Sequence, residues 1–187
     1  VMTPRAKRLY AASIFLSLCF ALLGMLTVSS PKELRLLYWL LLSLAIVFSF
    51  IFVLLANLLL HPVESGINRR YLNEAKDILV SMPNLRVIGV TGSFGKTSCK
   101  MILGSVLGGA FTTLVTPGSF NTPLGVTRVV RESLRPIHEL FVVEMGAKQQ
   151  GDIAELCDLV QPQIGVLTAI GEQHLETFKN LQNIIDT

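Results

Sequence analysis

Hydrophobic and polar positions divide the chain into two contrasting parts. Between residues 9 and 31 no Asp, Glu, Lys or Arg occurs, and between 36 and 61 there is again none. Each run reaches the ~18–20 residues that a helix needs to cross a bilayer's hydrocarbon core. Neither run carries a polar face, which favours lipid over a protein interior. The pattern predicts a transmembrane hairpin over residues 1–60, with helices at about 10–29 and 36–60. Tyr10, Tyr38 and Trp39 fall near the ends of the runs, where amphipathic rings prefer the interface. Residues 61–85 are polar and charged, with apolar Ile67, Tyr71, Leu72, Ala75, Ile78 and Leu79 at helical spacing. They predict a short amphipathic helix as connector.

From residue 86 onward, short apolar runs alternate with helix-period segments. Strands are expected at 86–91, 111–115, 139–144 and 163–170. Cys99, Ile102, Leu103 and Val106 give a buried helical stripe, and residues 122–134 give a second helix. Asp152 with Glu155 resembles a capping box, followed by the stripe Ile153, Leu156, Cys157 and Val160. A further helix opens at 180–186. This alternation implies an α/β fold: a mostly parallel sheet with helices on both faces, of the P-loop NTPase type, preceded by the hairpin. Residues 86–187 form the expected nucleotide domain. In such sheets ligands collect outside the carboxyl ends of the strands.

Charge and cysteine usage narrow the partners. A formal net charge of +3, with no basic stripe interleaved with aromatics, argues against nucleic acid. Cys19, Cys99 and Cys157 show no C-x-x-C spacing or histidine clustering, so buried, reduced thiols are expected.

The candidate chemistry starts at the end of the first strand. Thr91, Gly92, Ser93, Phe94, Gly95, Lys96, Thr97 and Ser98 form a glycine-rich turn leading into a helix. Glycines let backbone N–H groups face phosphate oxygens, and the helix N-terminus adds positive potential. Lys96 can reach the β- and γ-phosphates of ATP, while the Thr97 hydroxyl can ligate Mg²⁺. The match to G-x-x-x-x-G-K-[ST] is imperfect, because its first glycine falls on Val90. Glu144 follows the third strand and His174 the fourth. Facing a bound triphosphate, the two could hold a second Mg²⁺ or orient its waters. Taken singly, Glu144 is equally a salt-bridged strand end and His174 a surface-loop histidine. Because ATP and Mg²⁺ are cytoplasmic, both hairpin ends are expected inside. The implied localisation is a multi-pass cell-membrane protein whose Arg69, Arg70 and Lys76 approach membrane lipid.

These segments together resemble the ATP-dependent Mur ligases, in particular the branch that joins D-alanyl-D-alanine to a UDP-muramoyl-peptide. The resemblance runs from Gly89 to Ser98, through Asn121-Thr122-Pro123-Leu124-Gly125-Val126 and Val143-Glu144-Met145-Gly146-Ala147, to Gly171-Glu172-Gln173-His174-Leu175-Glu176. It implies the central domain of an amide-forming ligase working through an acyl phosphate. It assigns Lys96 to the phosphates, Thr97 to the first Mg²⁺, and Glu144 and His174 to the second. Asn121 belongs, by resemblance, to the loop flanking acyl transfer. A nucleotide-sugar peptide and D-alanyl-D-alanine are the implied substrates. The resemblance also implies a partial enzyme, since amine-binding and UDP-sugar-binding domains have no counterpart. Two other readings stay open: a folylpolyglutamate or poly-γ-glutamate synthase-like amide ligase, and a membrane-bound nucleotide-binding module without ligase activity.

Overall fold

The structure is a computed structural model that describes residues 3–25, 31–47 and 50–187. It divides into two units, Val1–Ile67 and Asn68–Thr187. The first contains α1 (Pro4–Met25), α2 (Lys32–Val47) and the start of α3 (Phe50–Val80), and the division falls within α3. Within that unit Arg8 pairs with Glu64 at 2.7 Å, and the Phe20 and Phe52 rings lie 5.8 Å apart. Much of its apolar surface is uncovered, as at Phe15 and Leu58.

The expected hairpin is not confirmed. The described residues of the second apolar run belong to α2 and to α3, and α3 continues through the stretch expected as a separate connector helix. Residues 26–29 of the first expected span and 48–49 of the second lie outside the described residues. Among the described residues one helix, Phe50–Val80, is long and apolar enough to cross a membrane by length and composition. A single such helix is weak support, because core helices of soluble proteins and signal sequences pass the same test. The expected multi-pass membrane localisation is therefore corrected: among the described residues its two spans are not present as two such helices.

The second unit is the α/β domain. Its strands are β1 (Arg86–Thr91), β2 (Thr113–Val115), β3 (Leu140–Glu144) and β4 (Ile164–Leu167), ordered β2-β3-β1-β4 with every pairing parallel. β1 and β3 are buried almost throughout, which explains why their sequences are continuous apolar runs without alternation. Alternate side chains still go to opposite faces. Val87, Phe141 and Val143 join one core with Ala75 from α3, Val126, Val129 and Val130 from α5 (Pro123–Ser133), and Leu156, Leu159 and Val160 from α6 (Asp152–Val160). Ile88, Val90 and Val142 face the other way, against Cys99, Leu103 and Leu107 of α4 (Lys96–Leu107).

Two local expectations change. The buried line of α4 is Cys99, Leu103 and Leu107 together with Lys100, whereas Ile102 and Val106 are 64% and 70% exposed. Asp152 does not close a capping box at α6. Gly151 occupies the N-cap in the left-handed conformation, and the Asp152 carboxylate instead accepts the N–H groups of Lys148 and Gln149. Two short helices, α7 (Leu175–Phe178) and α8 (Leu181–Ile185), follow β4.

Candidate active site

The carboxyl ends of β1, β3 and β4 gather the candidate groups. After Thr91 the chain turns through Gly92 and Gly95, both at positive φ (136° and 80°). A Cβ at Gly92 would lie 2.2 Å from the Thr168 hydroxyl, so no larger residue fits there. Gly95 is the N-cap of α4 and offers no capping side chain. The first-turn N–H groups of α4 are thus left for an outside acceptor, an arrangement that suits a phosphate. The Lys96 ammonium curls over the turn and donates to the carbonyls of Gly92 (2.6 Å) and Ser93 (3.2 Å).

The loop after β4 is stitched to this turn. The Ser93 N–H donates to the Ala169 carbonyl at 2.6 Å, and the Ser93 hydroxyl exchanges hydrogen bonds with the backbone of Gly171. Thr168 donates its hydroxyl to the carbonyls of Thr91 and Phe94. These bonds explain why β4 ends at Leu167 rather than continuing to residue 170: its last expected residues serve the turn instead of the ladder.

Glu144 shares the face of β3 that carries Val142, two residues earlier, and so it faces α4. Its carboxylate is the best-connected group of the site. Oε2 accepts the Thr97 hydroxyl at 3.0 Å and lies 2.7 Å from the Lys100 ammonium. Oε1 accepts the Asn121 amide at 3.1 Å. The Glu144 N–H donates to the hydroxyl of buried Thr116. Burial alone would raise the Glu144 pKa; hydrogen bonds from Lys100, Asn121 and Thr97, with the ammonium charge, outweigh it and hold the group below the usual carboxylate range. Glu144 is therefore anionic at neutral pH.

A chamber of about 520 Å³ opens beside these groups, lined among others by Gly92, Lys96, Asn121, Lys148 and His174, while Thr97, Lys100 and Glu144 do not line it. His174 is exposed, at φ 52°, immediately before α7. Among the described residues, no group of three or more His, Cys, Asp and Glu side chains could hold a metal. The oxygen pair Thr97–Glu144 nevertheless suits a hard divalent cation, since it joins a hydroxyl to a carboxylate kept ionised.

Sequence reasoning missed Lys100, which is 0% exposed although charged. A signal existed. Lys100 follows Lys96 by four residues and Thr97 by three, so it shares their side of the helix. The expected thiols are free cysteines: Cys99 and Cys157 are partly buried, while Cys19 is exposed. Burial, and then the neighbouring Asp158, raise the Cys157 thiol pKa.

A family profile described as "Mur ligase middle domain" matches residues 90–187, just over half of the chain. The chain belongs to the Mur ligase family. The UDP-N-acetylmuramoyl-tripeptide–D-alanyl-D-alanine ligase of Mycobacterium tuberculosis (strain ATCC 25618 / H37Rv) is 39% identical over 103 residues, 55% of this chain and 20% of that protein. The enzyme of the same name from Escherichia coli (strain K12) is 35% identical over 99 residues, 53% and 22% respectively. A crystal structure of MurF from Acinetobacter baumannii superposes with a TM-score of 0.61 at 36% identity, covering 63% of this chain and 26% of that one. The MurF ligase of Thermotoga maritima in complex with ADP gives 0.61 at 35% identity, covering 64% and 28%. The Mur ligase domain thus has the expected parallel α/β fold. The chain spans about a fifth of the length of the curated relatives it matches. The family match begins at Val90, beyond both apolar runs, and so gives them no membrane role.

Proposed function

We propose that this Mur ligase domain binds ATP and Mg²⁺ for an amide ligase that adds D-alanyl-D-alanine to a UDP-muramoyl-peptide in cell-wall precursor synthesis. The observation that carries this reading is the Thr97–Glu144 hydrogen bond beside the uncapped α4 N-terminus and the Lys96 ammonium. Together these offer a phosphate cradle and an anionic oxygen pair on adjoining elements. The relatives named for this reaction and the ADP complex of a structural neighbour support it.

In this reading the N–H groups of residues 92–98 cradle the triphosphate, and Lys96 leaves its own carbonyls to reach the β- and γ-phosphates. Thr97 and Glu144 would hold Mg²⁺, with His174 as a further group from the loop after β4. Bound there, the cation would offset the repulsion between two anions, the substrate carboxylate and the γ-phosphate. The carboxylate oxygen attacks the γ-phosphorus, the bond to the β-phosphate oxygen breaks, and an acyl phosphate and ADP form. The incoming amine then attacks the acyl carbon and phosphate leaves, giving the amide. Asn121, which lines the chamber, keeps Glu144 oriented behind it through the transfer.

The test is ADP release by the full-length protein. Turnover is expected with UDP-muramoyl-tripeptide plus D-alanyl-D-alanine, and not with folate plus glutamate. Turnover with the folate pair alone would refute the wall-precursor assignment.

A further inference from the structure

Lys100 takes no part in the chemistry above, yet with Glu144 it forms the most deeply buried ion pair among the described residues, at 0% and 2% side-chain exposure. The ammonium also donates to the carbonyl of Gly118, in the loop that carries Asn121. Lysine is rarely buried so completely unless it has a partner. Here the partner is the very carboxylate that would ligate a metal.

The consequence is electrostatic. Lys100 and Glu144 together carry no net charge. Oε2 is shared between the ammonium and the Thr97 hydroxyl, and Oε1 is engaged by Asn121. A divalent cation arriving alone meets a fixed positive charge 2.7 Å from its only anionic ligand. A bound polyphosphate reverses the balance, because it brings several negative charges and oxygen ligands to the N-terminus of α4.

We propose that Lys100 is a positioning residue, a built-in counter-ion that bars Thr97 and Glu144 from holding a divalent cation until a polyphosphate is bound beside them. The metal then enters together with the nucleotide, and Glu144 stays ionised and oriented in its absence. This inference rests on the nucleotide reading of the same loop.

The test measures Mn²⁺ binding to the full chain by electron paramagnetic resonance, with and without a non-hydrolysable ATP analogue. Lys100→Gln removes the charge and keeps a donor for the Gly118 carbonyl. It should tighten Mn²⁺ binding in the absence of nucleotide by roughly tenfold, as expected for one like charge removed nearby. Lys100→Arg should behave as wild type, and adding Glu144→Gln to Lys100→Gln should abolish the gain. Unchanged or weaker Mn²⁺ binding by Lys100→Gln would overturn the proposal. So would wild-type protein that takes Mn²⁺ as tightly without the analogue as with it, a comparison that needs no variant. Wild-type protein that fails to bind the analogue would instead sink the phosphate-loop reading beneath it, so the two failures are distinct.

Discussion

One part of the site, where α4, β3 and the loop after β2 meet beside the chamber, converges on a single buried carboxylate, which takes donors from Thr97, Lys100 and Asn121. The other part, the loop after β4, is fastened by backbone and hydroxyl bonds to the glycine-rich turn and then presents His174 exposed, in a left-handed backbone conformation. The difference separates two ways of supplying a functional group. Glu144 is oriented and charged before any ligand arrives, so its reorganisation cost at the moment of reaction is small. The exposed His174 imidazole has no such scaffold among the described residues, which leaves it open to solvent or to a ligand.

The sharpest way to break this comparison is to remove the ion pair. Lys100→Met leaves a buried, uncompensated carboxylate, which should cost about 3–5 kcal/mol of stability. Chemical denaturation measures the loss, and Lys100→Met combined with Glu144→Gln should recover most of it. A loss below about 1 kcal/mol, typical of exposed pairs, would mean that the pair does not hold this part of the site.

Next in size is Lys96→Ala. Its ammonium donates to two carbonyls of its own loop, so the fold survives and the cost falls on the nucleotide. Losing a hydrogen bond to a charged group costs about 1.5–3 kcal/mol, or roughly 10–100-fold in affinity for the ATP analogue by calorimetry. Unaltered affinity would show that the turn is not a phosphate cradle.

Asn121→Ala is expected to be milder, at about 1 kcal/mol for one hydrogen bond, and it also raises the Glu144 pKa toward the ordinary range. The sign of the pH effect follows. Because the folded-state pKa of Glu144 is lowered, the native state binds fewer protons than the unfolded chain near pH 4. The stability from Glu144 is therefore present above the unfolded value of 4.5 and lost as pH falls through the folded one. Denaturation across that window should show a shallower acid loss in Asn121→Ala than in wild type.

The sequence disclosed the well-scaffolded part of the molecule unevenly. β1 falls where expected, and β2 and β3 are shorter by a residue or two at their starts, because apolar runs ending in turn signals leave little else for a buried strand to do. Lys96, Thr97 and Glu144 were legible as strand-end groups. Lys100 was legible only in its spacing from Lys96 and Thr97, since a lysine beside an apolar stripe looks solvent-facing until the strand opposite supplies its carboxylate. β3 is buried on both faces, so no alternation showed that Glu144 faces α4. The membrane localisation read from the apolar N-terminal runs failed for a related reason: hydrophobicity alone does not determine what covers a helix. The N-cap of α5 was legible in part. A helix start was expected at residue 122, and Thr122 accepts the Gly125 N–H.

The smallest stability effect is expected at His174, where it is most diagnostic. A non-glycine residue at φ 52° works against its backbone preference by about 1–2 kcal/mol. Glycine there relieves that cost but loses about 0.5–1 kcal/mol to chain entropy, so His174→Gly should leave stability unchanged or raised by up to about 1.5 kcal/mol. If the imidazole serves only the bound ligand, the same change should lower turnover of the full-length protein while the melting temperature holds. A parallel fall in both would show that His174 supports the fold after all, and the contrast between the two parts of the site would close.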